Sequence, residues 1–466
     1  MNSKIKATLR KFLSIALAAL TVFGCAGAAF AAGSDASGTV NGVDWVYTSA
    51  DKTLVLSGSG TLGEDVADFG LFGGSWVAEH VKIGADVNIT TGRVFENFDF
   101  VDEYEVDANN KYLCNPDGVL MDKDKTVLIK YPAGSKEFSF YTVPDTVKTI
   151  SYRAFEFSSA LKTIFLNDGL ETIENFAFDN CGNLLYITIP GTVTSMGKGV
   201  LAQCNLLNKV TIEEGVTAIP EDAFDRCRSL ETVNLPDSLT TIGDIAFFGC
   251  TKLKTLKLPK NLQTFTDSPG RNFGGLNIAL TVDPENQYFS TDDLGVLYNK
   301  DKTLLYYCPN LPYTFDYTVR CDLNKYAFKG CENLRNVDIA YNLRAIPTYA
   351  FNGCKNLNTV TLPATLQRVD GAAFDSSLNT VNYRGTEELW KLITIDSYDN
   401  SAIKSANVVY NYSEEEEPEE ITFTFDRSKS TVTITGSGTL TVNDIKKWDT
   451  SEINTYALKV KIGKNI

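Results

Sequence analysis

Histidine is almost missing from this 466-residue chain, and His80 is the only one. That excludes a histidine-rich metal site and leaves a single imidazole for any Ser/His/Asp or Cys/His arrangement. Basic residues are also in deficit, 43 against 58 acidic, for a formal charge of −15. A surface of that sign repels phosphate backbones, so nucleic acid is not an expected partner. Long apolar runs are absent beyond the first 31 residues, so no transmembrane segment is expected in the mature chain.

Residues 1–31 read as a secretory signal. Lys4, Lys6, Arg10 and Lys11 make a basic start, residues 12–23 an apolar run too short for a bilayer, and Ala29-Phe30-Ala31 a small-x-small cleavage site. Removing this segment, which holds no acid, would take the charge from −15 to −19. Cys25 after Val22-Phe23-Gly24 leaves lipoprotein processing as an alternative, although Phe23 fits that box poorly. Either way the chain is expected to be secreted or held at the cell surface.

What the sequence has is a period. Phe155, Phe178, Leu201, Phe224 and Phe247 are spaced by 23, and the spacing returns at Phe328, Phe351 and Phe374. Cys181, Cys204, Cys227, Cys250, Cys331 and Cys354 keep the same phase. Six cysteines in step with eight apolar anchors do not arise by chance. Each unit reads as a short helical or turn-like stretch, such as residues 219–227, followed by a strand, such as residues 230–235, closed by Pro236. One unit has too few apolar side chains to offset its own chain entropy, so only a stack is stable. A right-handed coil with a parallel β-sheet on one side is predicted. The cysteine ladder reads as small buried groups; disulfides or metal are the alternatives, and a Cys308–Cys321 disulfide stays open beside free thiols.

The pattern Pro-x-x-Val-x-x-Ile-x-x-x-Ala-Phe-x-x-Cys-x-x-Leu-x-x-Val-x-Leu-Pro, carried by residues 144–166 and 220–236, resembles the BspA-like leucine-rich repeat family of bacterial surface proteins. The resemblance spans roughly 143–383 with an interruption. It implies a leucine-rich repeat solenoid, export, and adhesion to host or matrix proteins, and it brings no catalytic residues.

The expected organisation is a signal peptide (1–31), a β-rich opening segment (33–105), a hairpin-bearing insertion (106–142), regular repeats (143–265), a second hairpin-bearing insertion (266–325), regular repeats (326–384), a closing cap (385–412), an acidic linker (413–420) and the start of a second opening segment (421–466). The insertions are duplicates: Val106-Asp107-Ala108-Asn109-Asn110-Lys111-Tyr112 parallels Val282-Asp283-Pro284-Glu285-Asn286-Gln287-Tyr288. Residues 432–440 likewise repeat 54–62, and 460–463 repeat 81–84. A second array, cut short at Ile466, is the expectation from that return.

Signatures of catalysis fail. Gly58-Ser59-Gly60 has no following helix with a lysine, so it is no phosphate loop. Glu213 and Glu214 fall in a turn between coils, and nothing marks a converging carboxylate pair. The chain is read as a non-enzyme, without cofactor or metal. Side chains between the inward strand positions form two outward columns, and from these Phe165, Tyr186, Lys209, Asn234 and Lys257 are the candidate ligand-binding residues, Phe165 and Tyr186 as aromatic anchors. Extracellular or host proteins are the expected partners, with carbohydrate left open; a structural spacer displaying other modules is the alternative function.

Overall fold

In one coil, Thr149–Ile150 is extended, a turn follows through Phe155, and the strand Thr163–Phe165 runs back before Thr172–Ile173 opens the next coil. Repeated, this makes a parallel β-solenoid of about 15 turns. The computed structural model describes residues 35–67, 78–96, 98–136, 139–340, 342–374 and 377–413, with three further strands, Thr422–Asp426, Thr431–Thr435 and Lys459–Ile462. The signal read at 1–31 and most of the acidic linker lie outside the described residues.

The main strands stack in the expected register. Phe140–Thr142, Thr163–Phe165, Tyr186–Ile189, Lys209–Ile212 and Thr232–Asn234 form one five-stranded parallel sheet, with Tyr186 opposite Lys209 and Lys209 opposite Thr232. The sequence reading put a sheet on one side only; the coil has a second ladder. Val127–Lys130, Thr149–Ile150, Thr172–Ile173 and Ser195–Met196 pair in parallel, and Ala218–Ile219, Thr241–Ile242 and Thr264–Phe265 continue in the same way. Buried peptide groups must find partners, and the nearest N–H and C=O groups belong to the coil above.

The turn solves the same problem differently. It is not helical: Arg153 and Phe157 adopt φ of +53° and +59°, as do their equivalents Phe176 and Asn180 at +58° and +56°. A helix would spend its hydrogen bonds within one coil. The left-handed kinks instead aim Arg153, Phe155 and Phe157 N–H at the carbonyls of Asn175, Ala177 and Asp179, at 3.1, 2.7 and 3.1 Å. Non-glycine residues in that conformation cost about 1–2 kcal/mol each, and the bonds to the next coil offset it.

Inside, the recurring aromatics form a spine. Rings of Phe155 and Phe178 stack at 5.0 Å, Phe328 and Phe351 at 5.0 Å, and Phe351 and Phe374 at 5.2 Å. The spine also crosses the second insertion, where the period is lost: Phe273 stacks on Phe247 at 5.7 Å, and Tyr307 packs on Phe273 at 5.6 Å. The ladder cysteines are buried free thiols. Each donates to a backbone carbonyl one coil back, as Cys181 does to Phe155 at 3.0 Å and Cys204 to Phe178 at 3.2 Å. The slot therefore takes a small side chain: Ser377 fills it and donates to the Cys354 carbonyl at 2.9 Å, while Ser158 fills it in the first unit with no hydrogen-bond partner for its hydroxyl among the described residues. Cys308 and Cys321 are free thiols as well.

Both insertions are antiparallel hairpins whose last strand joins the short-strand ladder. Leu113–Cys114, Leu120–Asp122 and Val127–Lys130 lead to Thr149; Phe289–Thr291, Leu297–Asn299 and Leu304–Tyr307 lead to Asp322. One buried asparagine holds each. Asn286 donates to Pro259 and Leu262 carbonyls and accepts from Tyr288 and Phe289 N–H, and Asn110 does the same with Gly84, Val87, Tyr112 and Leu113.

At the start, Ala36–Val40, Val43–Thr48 and Thr53–Leu62 are antiparallel, and Thr53–Leu62 then pairs in parallel with His80–Ile83. Thr422–Asp426, Thr431–Thr435 and Lys459–Ile462 repeat that arrangement with equivalent residues opposed, Leu54 with Val81 and Val432 with Val460. Residues 385–412, read as a cap, make one further coil: after the helical turn Glu387–Trp390, Thr394–Ile395 and Asn407–Val409 extend both ladders.

Where the opening segment meets the first regular coil, charge is buried. Lys130 donates to the Arg153 carbonyl at 2.8 Å. Glu156, 1% exposed, pairs with the Arg153 guanidinium, which also reaches Glu96 at 3.4 Å; Glu156 Oε2 has no hydrogen-bond partner among the described residues. Desolvation outweighs the attraction of Lys130 and Arg153 and pushes the Glu156 carboxyl up to about 7. Asp99 and Asp179 are raised by burial too, and Lys130 is lowered by it.

Two outcomes are expected. Phe351→Ala opens a cavity between two stacked rings and should cost about 3–5 kcal/mol; urea unfolding with amide exchange should show the loss concentrated in the coils around residues 328–374. Glu156, raised in the folded state, stabilises fully below its ordinary value of 4.5, and that contribution is lost as pH rises through about 7. The span is worth about 3 kcal/mol, and Glu156→Gln should flatten the fall in unfolding free energy between pH 5 and pH 8. An unchanged slope would assign that fall to other groups.

Candidate functional site

Alternation along each strand sends Ile164, Ile187 and Val210 into the core and their neighbours outward. The two outward columns predicted from the sequence are those the register produces. Thr163, Tyr186, Lys209 and Thr232 oppose one another in one, and Thr188, Thr211 and Asn234 in the other. Phe165 and Tyr186 are 54% and 51% exposed, so neither a hairpin nor the opening segment covers them.

They are diagonal neighbours and not directly opposed. Tyr186 stands opposite Thr163, which places Phe165 on the diagonal, and no ring contact joins the two among the described residues. Phe140, 62% exposed, stands opposite Thr163 on the other side. The face thus carries an aromatic zigzag of Phe140, Phe165 and Tyr186 over three coils, with Lys209 beside Tyr186. Phe140 was missed in the sequence because it falls before the first clear repeat, yet 23 residues back from Thr163 lands on it.

Asn234 is on the same sheet and donates to Thr211 Oγ1 at 3.3 Å. Lys257 is apart from this group. Its strand Thr255–Leu258 belongs to a separate two-stranded sheet with Ala279–Val282. Its ammonium is held by Asp283 at 2.8 Å, a hydrogen bond that raises the lysine and lowers the carboxylate. The structure brings together Phe165, Tyr186, Lys209 and Asn234, and ties Lys257 elsewhere.

Groups that could do chemistry are dispersed or occupied. His80 is exposed at the start of its strand, at a cleft of about 500 Å³ that Asp102, Glu103 and Lys136 also line. Glu214 accepts Asp237 and Ser238 N–H at 2.7 and 3.0 Å, so this carboxylate ties adjacent coils together. Burial pushes the Cys181, Cys204 and Cys227 thiols up, the opposite of what a nucleophile needs. Among the described residues no group of three or more His, Cys, Asp or Glu could hold a metal ion, and no helix is long and apolar enough to cross a membrane.

The later repeats present a second face of other chemistry. Phe315–Val319, Leu334–Ile339, Thr359–Leu362, Thr380–Tyr383 and Asn407–Val409 form a five-stranded parallel sheet. Its outward residues are Asp316, Asn336 and Thr359 in one column and Thr318, Asp338, Thr361 and Asn382 in the other. Arg335 grips both oxygens of Asp316, at 3.1 and 2.9 Å, and holds it below the usual carboxylate range; Arg384 binds Asp338 at 2.7 Å. No candidate residue was drawn from these coils in the sequence, where outward columns were followed only through the first run of repeats.

The model of the BspA type leucine-rich repeat region matches in six copies, over residues 133–254, 217–269 and 304–417, more than half of the chain. No curated protein matches the sequence significantly. Among solved structures, a leucine-rich cell surface protein of Faecalibacterium prausnitzii is 19% identical, with 82% of this chain and 96% of that one covered and a TM-score of 0.46. The pneumococcal vaccine antigen PcpA is 18% identical over 93% and 99% of the two chains, TM-score 0.42. A leucine-rich repeat protein of Eubacterium ventriosum is 20% identical over 56% and 98%, TM-score 0.39. With its period, its stacked core and this match in agreement, the chain belongs to the BspA-type leucine-rich repeat proteins.

Proposed function

We propose that this chain is a non-catalytic, exported surface protein that binds other extracellular proteins through the first sheet face. The observation that carries this reading is the row of three exposed aromatics, Phe140, Phe165 and Tyr186, on successive strands of a rigid sheet. Large aromatic side chains left in water on a fixed scaffold are costly unless they are covered in use. They are also the residue types that dominate protein interfaces. Lys209 next to Tyr186 adds a donor and a positive charge at the rim of the patch, in a chain whose net charge is negative.

Export rests on residues 1–31 having the make-up of a signal peptide, and surface location accords with membership of a bacterial surface-protein family. The test is attachment of the purified chain to immobilised collagen, laminin and fibronectin. Phe165→Ser with Tyr186→Ser should weaken it at least tenfold, and adding Phe140→Ser should abolish it, while thermal unfolding stays unchanged because the three side chains lie outside the core. Attachment unmoved by all three would leave the spacer reading in its place.

A further inference from the structure

The second sheet face holds a groove of about 380 Å³. Its floor is Thr361, only 6% exposed, whose hydroxyl has no hydrogen-bond partner among the described residues. Among the described residues, Asn382, one coil further in the same column, has an unpaired side-chain amide, and Thr318 at the other end an unpaired hydroxyl. Tyr412 also lines it: its N–H is fixed on the Tyr383 carbonyl at 3.0 Å while its phenol has no hydrogen-bond partner among the described residues.

Charge narrows what could fill this groove. The two carboxylates in it, Asp316 and Asp338, are each already bound by an arginine. That leaves no net charge to recognise a cation or an anion, and no outward aromatic comparable to Phe165; Val409, opposite Asn382 in the column, is aliphatic and 40% exposed. What remains is the neutral pair Thr361 and Asn382 on successive coils, about 4.8 Å apart, with Thr318 beyond Asp338 in the same column. One ring of an extended hexose chain advances by nearly the same length, and each ring offers hydroxyls that both donate and accept. The phenol ring of Tyr412 adds a surface against which the C–H face of a sugar packs.

We propose that this groove binds a neutral, extended oligosaccharide, with Thr361 and Asn382 hydrogen-bonding successive sugar rings and Tyr412 packing on one of them. This is a second binding site, on a different sheet from the aromatic face and independent of it.

The full chain is titrated by calorimetry with three neutral β-1,4-linked probes: cellotetraose, mannotetraose and N-acetylchitotetraose. At least one should bind. Asn382→Ala and Thr361→Val should each weaken that binding at least tenfold, and Tyr412→Ala should do so as well. Thr361→Val preserves side-chain shape and Asn382 lies at the surface, so unchanged thermal unfolding separates lost contacts from a lost fold. The Phe165→Ser, Tyr186→Ser double variant should bind the sugar as the parent does. The proposal is overturned if none of the three probes binds, or if Asn382→Ala and Thr361→Val bind like the parent. It is overturned equally if the aromatic double variant loses the sugar, since the ligand would then sit on the first face.

Discussion

Every level of this structure depends on one requirement: the main chain of each coil must make its hydrogen bonds to the coils above and below. The long strand does so, the two-residue strand does so, and the turn between them does so through its left-handed residues. Three sides of the coil are bound in this way. Coils of other length take up the difference in their loops, as where Thr359 opposes Thr380 and Thr380 opposes Asn407, so it is register rather than length that the pairing fixes. Side-chain packing follows from it, because coils held in register bring Phe155 over Phe178 and Cys204 beneath the Phe178 carbonyl without further adjustment.

That dependence explains what could be read in the sequence. Inward positions are constrained by register, so phenylalanine, cysteine and strand aliphatics recur visibly and give the solenoid directly. The turn geometry was not legible, because the constraint falls on backbone angles and many residue types satisfy it: Arg153, Phe176 and Asp222 share one conformation with nothing in common chemically. Thr-Ile pairs too short to stand out as strands hid the second ladder. Phe273 and Tyr307 were lost to the spine for another reason: inserted residues shift the numbering while the position in space stays the same.

Outward positions obey none of these limits, which is why the candidate site was only partly legible. The register fixes where an outward side chain stands and leaves its identity free. The first sheet spends that freedom on Phe140, Phe165 and Tyr186, the later one on Asp316, Asp338, Thr361 and Asn382. The columns were therefore derivable in advance, whereas the choice of which residues in them matter needed exposure and partners. Lys257 illustrates the limit: its strand pairs with Ala279–Val282, and only the structure shows its charge already taken by Asp283.

The buried polar groups gather where the repeat is broken. Within regular coils the interior is mostly apolar or thiol, although Asn167 binds the Pro144 and Val147 carbonyls and the Gly169 N–H, and the Ser158 hydroxyl is buried without a hydrogen-bond partner among the described residues. At the junction of the opening segment with the first coil, Lys130, Arg153 and Glu156 occupy the interior, and at the two insertions Asn110 and Asn286 each hold four main-chain groups. Where main-chain groups are not met by the next coil, a side chain stands in for it. An asparagine does this without charge and with both donors and acceptor used. Lys130 does it for the Arg153 carbonyl, with Glu156 buried beside it, at the cost of desolvating ions, which makes the junction one place where this fold responds to pH, alongside array carboxylates such as Asp179, Asp225 and Asp316.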